Sequence, residues 1–413
     1  MLFFLLTIVL SASAQGPAEV RLGLKEIFGE ASVVKAKLGV VESPRDNDDE
    51  RAILDILRSD LALIDLVDLI SVAPKDVKSW ADQRLEIKAN RSNKGVLVSA
   101  VISAGKEVVA SRNFWDQGNT RRLGHKTAEF ALKTLTGEQG FFTSKIAFTL
   151  KQGGKKEVWL ADWDGKNAGP ITNWSTISLL PAFSHDGRRL AFTSYKDGNP
   201  DLYAHDLDKG SIATLSEAQG LNASAAFDPL GEGLLATLSL GRDPNIYFLS
   251  PQGKILRRLT RTMGIDTAAT FSPNGQEIAF TTDRSGNPQI FIMNRDGANT
   301  RRLTYGFFWA DEPEWSRDGS AVAFSGKKVR EENFQVFLGD PMGARFVQLT
   351  TDGANEHPTF SHDSRFISFT SKRNGKWEVF IKGIARETPE MRVIAFQGAD
   401  CLEPAWSASE PAP

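Results

Sequence analysis

Cysteine is almost absent: Cys401 stands alone in 413 residues. No intrachain disulfide can form, so packing must hold the fold, and no cysteine near the N-terminus is available to carry a lipid. A lone thiol in an exported chain is safest when buried, which is the expectation for Cys401 beside the last strand. Charge of one sign is also missing. With 49 basic and 51 acidic residues the formal net charge is −2, too small a field to gather nucleic acid or an anionic membrane. Histidine is scarce, at five residues. The sequence has no Gly-x-Ser-x-Gly elbow, phosphate-binding loop, dinucleotide glycine fingerprint or helical His pair at metal-ligand spacing. No apolar run approaches the ~20 residues that a membrane-crossing helix needs.

What is present is the composition of a folded globular chain, 41% hydrophobic and 24% charged, long enough for two buried cores. Leu2 to Leu10 is almost wholly apolar and is followed by Ser11-Ala12-Ser13-Ala14, the small-x-small pattern of a secretory cleavage site. Residues 1–14 are therefore expected to be a signal peptide, with a mature chain beginning near Gln15. No Lys or Arg precedes the apolar run, which points to a translation start further upstream.

The strongest signal is an internal repeat. Phe183-Ser184-His185-Asp186-Gly187, Phe227-Asp228-Pro229-Leu230-Gly231, Phe271-Ser272-Pro273-Asn274-Gly275, Trp315-Ser316-Arg317-Asp318-Gly319, Phe360-Ser361-His362-Asp363-Ser364 and Trp406-Ser407 each join an aromatic to a turn. Successive aromatics are 44, 44, 44, 45 and 46 residues apart, a drift small enough for one unit repeated. The clearest copy predicts four short strands near Ala269–Ser272, Glu277–Thr282, Gln289–Asn294 and Thr300–Thr304, parted by Asn274-Gly275, Asp283–Asn287 and Arg295-Asp296-Gly297. Such a meander cannot bury both faces alone, so copies must stack as propeller blades or as a solenoid.

The chain ends favour the propeller. Ile146–Thr149 and Glu157–Ala161 match a second and third strand with no first strand before them, whereas Glu403-Pro404-Ala405-Trp406-Ser407 matches a first strand with nothing after it. Joining them closes a ring of six blades and hides both sheet edges. Residues 25–137 lack the repeat and read as a small α/β domain. Its predicted strands are Ser32–Val41, Arg84–Asn90, Val96–Ser103 and Glu107–Phe114, and its helices are Asp48–Ala62, capped by the acidic run from Asp46, and Arg122–Leu135, ended by Gly137. Leu63–Ser71 reads as a buried strand or a helix end. The expected organisation is a signal peptide (1–14), a mobile segment (15–24), an α/β domain (25–137) and an all-β six-bladed β-propeller closed by its C-terminal strand (138–413).

Candidate chemistry lies in the loops leading into the inner strands, which a propeller gathers at one mouth of its channel. Blade by blade they contain Leu179, Asn222 with Ser224, Asp266 with Thr267, Asp311 with Glu312, Glu356 with His357, and Leu402 with Glu403. Three readings stand: a solvated rim, a docking surface for a partner presenting Lys, Arg or backbone N–H groups, or a cation site using Asp311, Glu356 and His357. The Ser-x-Asp-Gly turns read as structural turns on the blade periphery, Asp accepting backbone N–H bonds and Gly taking positive φ. His185 and His362 share one variable slot of those turns, and His125, at the start of the second helix, reads as a capping or domain-packing residue.

The stretch Phe271–Gly286, with Gln289-Ile290-Phe291 and Arg302-Leu303-Thr304, resembles the propeller repeat of the TolB family. Gly124-His125-Lys126-Thr127-Ala128, Leu135-Thr136-Gly137, Gly140–Phe148 and Lys37-Leu38-Gly39-Val40-Val41 resemble the same family's α/β domain and its junction with the first blade. The resemblance implies a monomeric, non-catalytic periplasmic scaffold without cofactor or metal, linking the peptidoglycan-associated lipoprotein Pal to the inner-membrane protein TolA. It implies that Pal docks on the propeller face at Asn222, Ser224, Asp266, Thr267, Asp311, Glu312, Glu356, His357 and Glu403. It further implies that Glu19-Val20-Arg21-Leu22 engages TolA by strand pairing. The alternatives are a channel-mouth ligand or cation binder, and the regulatory propeller of a hydrolase, although no hydrolase domain or nucleophile motif accompanies the blades.

Overall fold

The computed structural model of the chain describes residues 35–42, 47–79, 82–240, 243–385, 388 and 390–410. The signal-peptide reading and the segment Glu19-Val20-Arg21-Leu22 lie outside them. Two compact units divide between Gln139 and Gly140.

The first unit is a five-stranded sheet with two helices. Strands β1 (Ala36–Val41), β2 (Val67–Val72), β3 (Gln83–Ser92), β4 (Gly95–Ala104) and β5 (Glu107–Asp116) stand in the order β2-β1-β3-β4-β5. Strand β1 runs parallel to both β2 and β3, and β3 to β5 form an antiparallel meander. The parallel pair needs a crossover, supplied by helix α1 (Asp48–Ile64). Asn47 caps α1 by accepting the Glu50 N–H at 3.1 Å, and Asp48, Asp49 and Glu50 complement the positive end of the helix dipole. Ile53, Leu54, Leu57, Leu61 and Ile64 recur at helical spacing and are buried. Helix α2 (Thr120–Thr136) ends where Gly137 takes φ 78° and donates its N–H to the Lys133 carbonyl at 2.9 Å.

Two expectations need correction here. Leu63–Ser71 splits: the helix runs to Ile64, Asp65 breaks it at φ 57°, and a partly exposed strand begins at Val67. His125 is no cap but lies inside α2, its Nδ1 2.7 Å from Oδ2 of buried Asp60 on α1, a polar tie between the two helices.

The second unit is the six-bladed propeller, built from six four-stranded antiparallel sheets. Inner strands are Ser178–Phe183, Asn222–Phe227, Asp266–Phe271, Trp309–Trp315, Ala354–Phe360 and Asp400–Trp406, in blades two to six and one respectively. The last of these pairs with Lys145–Gln152, matching Trp406 to Ile146 and Asp400 to Lys151, and so completes the blade begun 250 residues earlier in the chain. Trp406 is buried, donates its indole N–H to Ser144 Oγ at 2.7 Å and packs edge-on against Phe141 at 5.2 Å. Ring closure therefore carries its own core. Cys401 lies buried in this closing strand, where burial pushes its thiol up to about 12.

The Ser of the repeated turn works locally. Ser184, Ser272, Ser316 and Ser361 each accept, through Oγ, the backbone N–H five residues on, at 2.9 to 3.0 Å. These turns are not peripheral, however: each joins an inner strand to the second strand of its blade, so together they ring the lower end of the central channel.

Candidate functional site

A cavity of about 420 Å³ runs along the propeller axis and is lined by all six inner strands. Three residues before each repeat aromatic the backbone turns left-handed, at Leu180, Ser224, Ala268, Glu312, His357 and Glu403, with φ from 49° to 58°. Each coincides with a break in the pairing register to the second strand, a β-bulge. Non-glycine residues there cost on the order of 1 kcal/mol apiece, so something must hold them. Proline follows four of them, Pro181, Pro313, Pro358 and Pro404, where the bulge leaves no ladder bond for an N–H to make.

For three of them what holds the turn is a hydroxyl from the preceding blade. Thr149, Thr193, Thr237, Thr281, Ser325 and Thr370 occupy one position of the second strands, and all are buried. The N–H groups of Glu312, His357 and Glu403 donate to Thr281, Ser325 and Thr370 at 3.2, 3.0 and 3.0 Å. Two bulge carboxylates extend the chain of contacts. Glu312 Oε2 accepts from Ser325 Oγ and from the His357 N–H, and Glu403 Oε2 accepts from Thr149 Oγ1 and from the Leu180 N–H, all within 2.7 to 3.0 Å. The recurrence of a hydroxyl ten residues after each of the first five aromatics was visible in the sequence and is the signal that would have revealed these clasps.

The upper mouth, where the inner strands begin, is acidic and internally paired. His357 Nδ1 lies 2.9 Å from Glu312 Oε1. Burial alone would lower His357, but the Glu312 carboxylate overrides it and holds the imidazole at about 9. Burial opposes ionisation of Glu312 too, yet His357 holds it below the usual carboxylate range. Asp311 is raised by burial and then by Glu312, and Glu356 likewise. Among the described residues no three His, Cys, Asp or Glu side chains are arranged to hold a metal ion.

The sequence-predicted residues do not all belong to one ring. Asn222 and Asp266 stand five places before their aromatics and are fully buried. Asn222 Nδ2 donates to the carbonyls of Ala218, Pro200 and Gly220, while Asp266 accepts from Arg284 at 3.0 Å and Thr262 at 2.6 Å. They shape their loops and present nothing to solvent. Thr267, Asp311 and Glu356 stand four places before, and Ser224, Glu312, His357 and Glu403 three places before, at the bulge. The bulge breaks the simple alternation, so a sequence-level grouping mixed three positions with different directions.

At this end of the blades the loops carry apolar side chains that no described residue covers: Met263 is 100% exposed, Tyr305 63% and Ile265 49%, with Tyr195, Leu240 and Val329 on hairpins of the same end. Arg302 stacks on the Tyr305 ring at 4.9 Å and fixes its orientation.

Fold and site thus define a class: a chain with a small α/β unit followed in sequence by a six-bladed propeller, whose channel gathers partly buried acids at one end, where neighbouring loops carry exposed apolar side chains. Residues 132–410 match the family model described as the TolB beta propeller domain, and the chain belongs to the TolB family. It is 41% identical over 86 residues to the Tol-Pal system protein TolB of Geobacter sulfurreducens, 21% of this chain and 20% of that protein. It is 29% identical over 203 residues to the protein of the same name from Dechloromonas aromatica, 44% of this chain and 46% of the relative. The matched stretches therefore span from a fifth to less than half the length of these relatives. The crystal structure of TolB from Acinetobacter baumannii superposes with a TM-score of 0.76 at 23% identity, covering 91% of this chain and 97% of that one, and shows the shared fold.

Proposed function

We propose that the chain is a periplasmic, non-catalytic scaffold of the Tol-Pal system, binding the lipoprotein Pal on the upper face of its propeller and TolA through Glu19-Val20-Arg21-Leu22, in support of outer-membrane integrity and envelope constriction. The relatives' names supply the system, and one observation supports the surface: an exposed apolar patch of Met263, Ile265 and Tyr305 on the two loops that lead into the inner strands of blades four and five, at the acidic end of the channel. Exposed apolar patches bordered by polar groups mark protein-binding surfaces. Glu312 and Glu403 are spent on clasping neighbouring blades, which suits a rigid face better than a reacting centre. In this reading Asp311 and Glu356 meet basic or N–H groups of the partner, the charged His357 donates to a partner acceptor, and Thr267 and Ser224 extend the contact around the ring.

The test is affinity purification from envelope extract with the full chain and with a variant lacking residues 19–24. The full chain is expected to recover both Pal and TolA, and the shortened one Pal alone. Recovery of neither partner by the full chain would sink the proposal.

A further inference from the structure

The lower end of the channel holds a second constellation, on the turns that join the inner strands to the second strands. The slot after the turn Ser or Asp is filled, blade by blade from the second, by His185, Pro229, Pro273, Arg317 and His362. His185 belongs to the second blade and Arg317 to the fifth, opposite in a ring of six, yet Arg317 Nη1 lies 2.9 Å from His185 Nδ1. Arg317 is always charged and can only donate, so His185 must accept through Nδ1 and be neutral there. The contact spans the channel and bars its lower end.

This is a poor partner for a guanidinium. Arg317 is the one Lys or Arg among the described residues lining the cavity, and it has no ion pair with any described carboxylate. Glu314, one ring higher, feels its charge without pairing to it and hydrogen-bonds Thr270 at 3.4 Å. Burial pushes Glu314 up to about 7. Beside them His362 has a buried Nδ1 with no hydrogen-bond partner among the described residues, and burial, with the charge of Arg317 added, lowers its imidazole to about 4. Above, the wall is made of small groups, Ala182, Ala226, Thr270, Thr359 and Ala405, which leave room for a slender ligand.

We propose that the lower end of the channel is a carboxylate site: the carboxylate of a ligand lying along the channel takes the paired N–H groups of Arg317, displaces His185 and opens the barred end. The fork of a guanidinium matches a carboxylate with two parallel hydrogen bonds, a stronger arrangement than one bond to a neutral imidazole. The carboxylate can come from a small acid or from the C-terminus of an extended peptide. The inference does not depend on the Tol-Pal reading.

The experiment is a titration of the full chain, ¹⁵N-labelled at histidine, with sodium acetate, against sodium chloride at equal ionic strength. Ring signals of His185 and His362 are assigned through H185Q and H362Q. Acetate is expected to move both signals saturably while leaving His357 in place, with affinity falling about tenfold or more in R317Q. R317K, which keeps the charge and loses the fork, is expected to fall between them and serves if the Gln variant does not fold. Trialanine with a free C-terminus binding more tightly than acetate, and losing this on amidation, assigns a peptide terminus; equal affinity assigns a small acid. Signals that respond equally to chloride, or as strongly in R317Q and R317K as in the native chain, overturn the site.

Discussion

His357 and Glu312 show how one ion pair can serve both architecture and surface. The pair is formed by residues on adjacent blades, and the same Glu312 carboxylate also accepts the His357 backbone N–H. Because His357 is held at about 9 when folded, above its ordinary 6.5, the stability it contributes is fully present below about pH 6.5 and lost as pH rises through 9. The unfolding free energy from denaturant titrations should fall by roughly 2 kcal/mol between pH 6 and pH 9.5 for the native chain, and by clearly less for E312Q. Cys401 offers a second check. Burial keeps its thiol protonated, so a thiol reagent at pH 8 should leave the folded chain unlabelled and label it fully in denaturant. Burial of this residue was legible in the sequence, because a lone cysteine beside a closing strand has few other roles. The place of His125 was not, since its partner Asp60 lies 65 residues away and only folding brings them together.

At the scale of the element, the repeat aromatic and the bulge hydroxyl do different work. Phe271, buried between Phe248, Ile278 and their neighbours, packs blade against blade, and F271A should cost about 3–5 kcal/mol by chemical denaturation. Thr370 instead satisfies the N–H of Glu403 in the next blade, so T370V, nearly equal in volume, should cost about 1–3 kcal/mol by leaving that donor unpaired. A change near zero would mean the clasp is incidental. Strand number and blade number could be read from the 44-residue spacing, because turns and aromatics repeat with the period of the sheet. The bulges could not: they shift which side chains face the channel without changing the residue count, so Asn222 and Asp266 looked like partners of Glu312 and Glu403 while pointing into their own loops.

For the whole molecule, closure and polarity of the ring matter most. Closure was legible because the unmatched strands at the two ends of the repeat array complement each other, and the pairing of Trp406 with Ile146 realises it. The two ends of the channel were not distinguishable in sequence, since only the folded ring separates an acidic end with exposed Met263 and Tyr305 on its loops from a lower end barred by Arg317 and His185. The central claim is that the upper end is the docking face. Its most direct test is the affinity of the soluble domain of Pal, by calorimetry, for the native chain, for M263D with Y305D, and for M342D, which alters a 78%-exposed methionine on a lower hairpin. The upper pair should weaken binding about tenfold or more and M342D should leave it unchanged; loss through M342D with the upper pair silent would contradict the account.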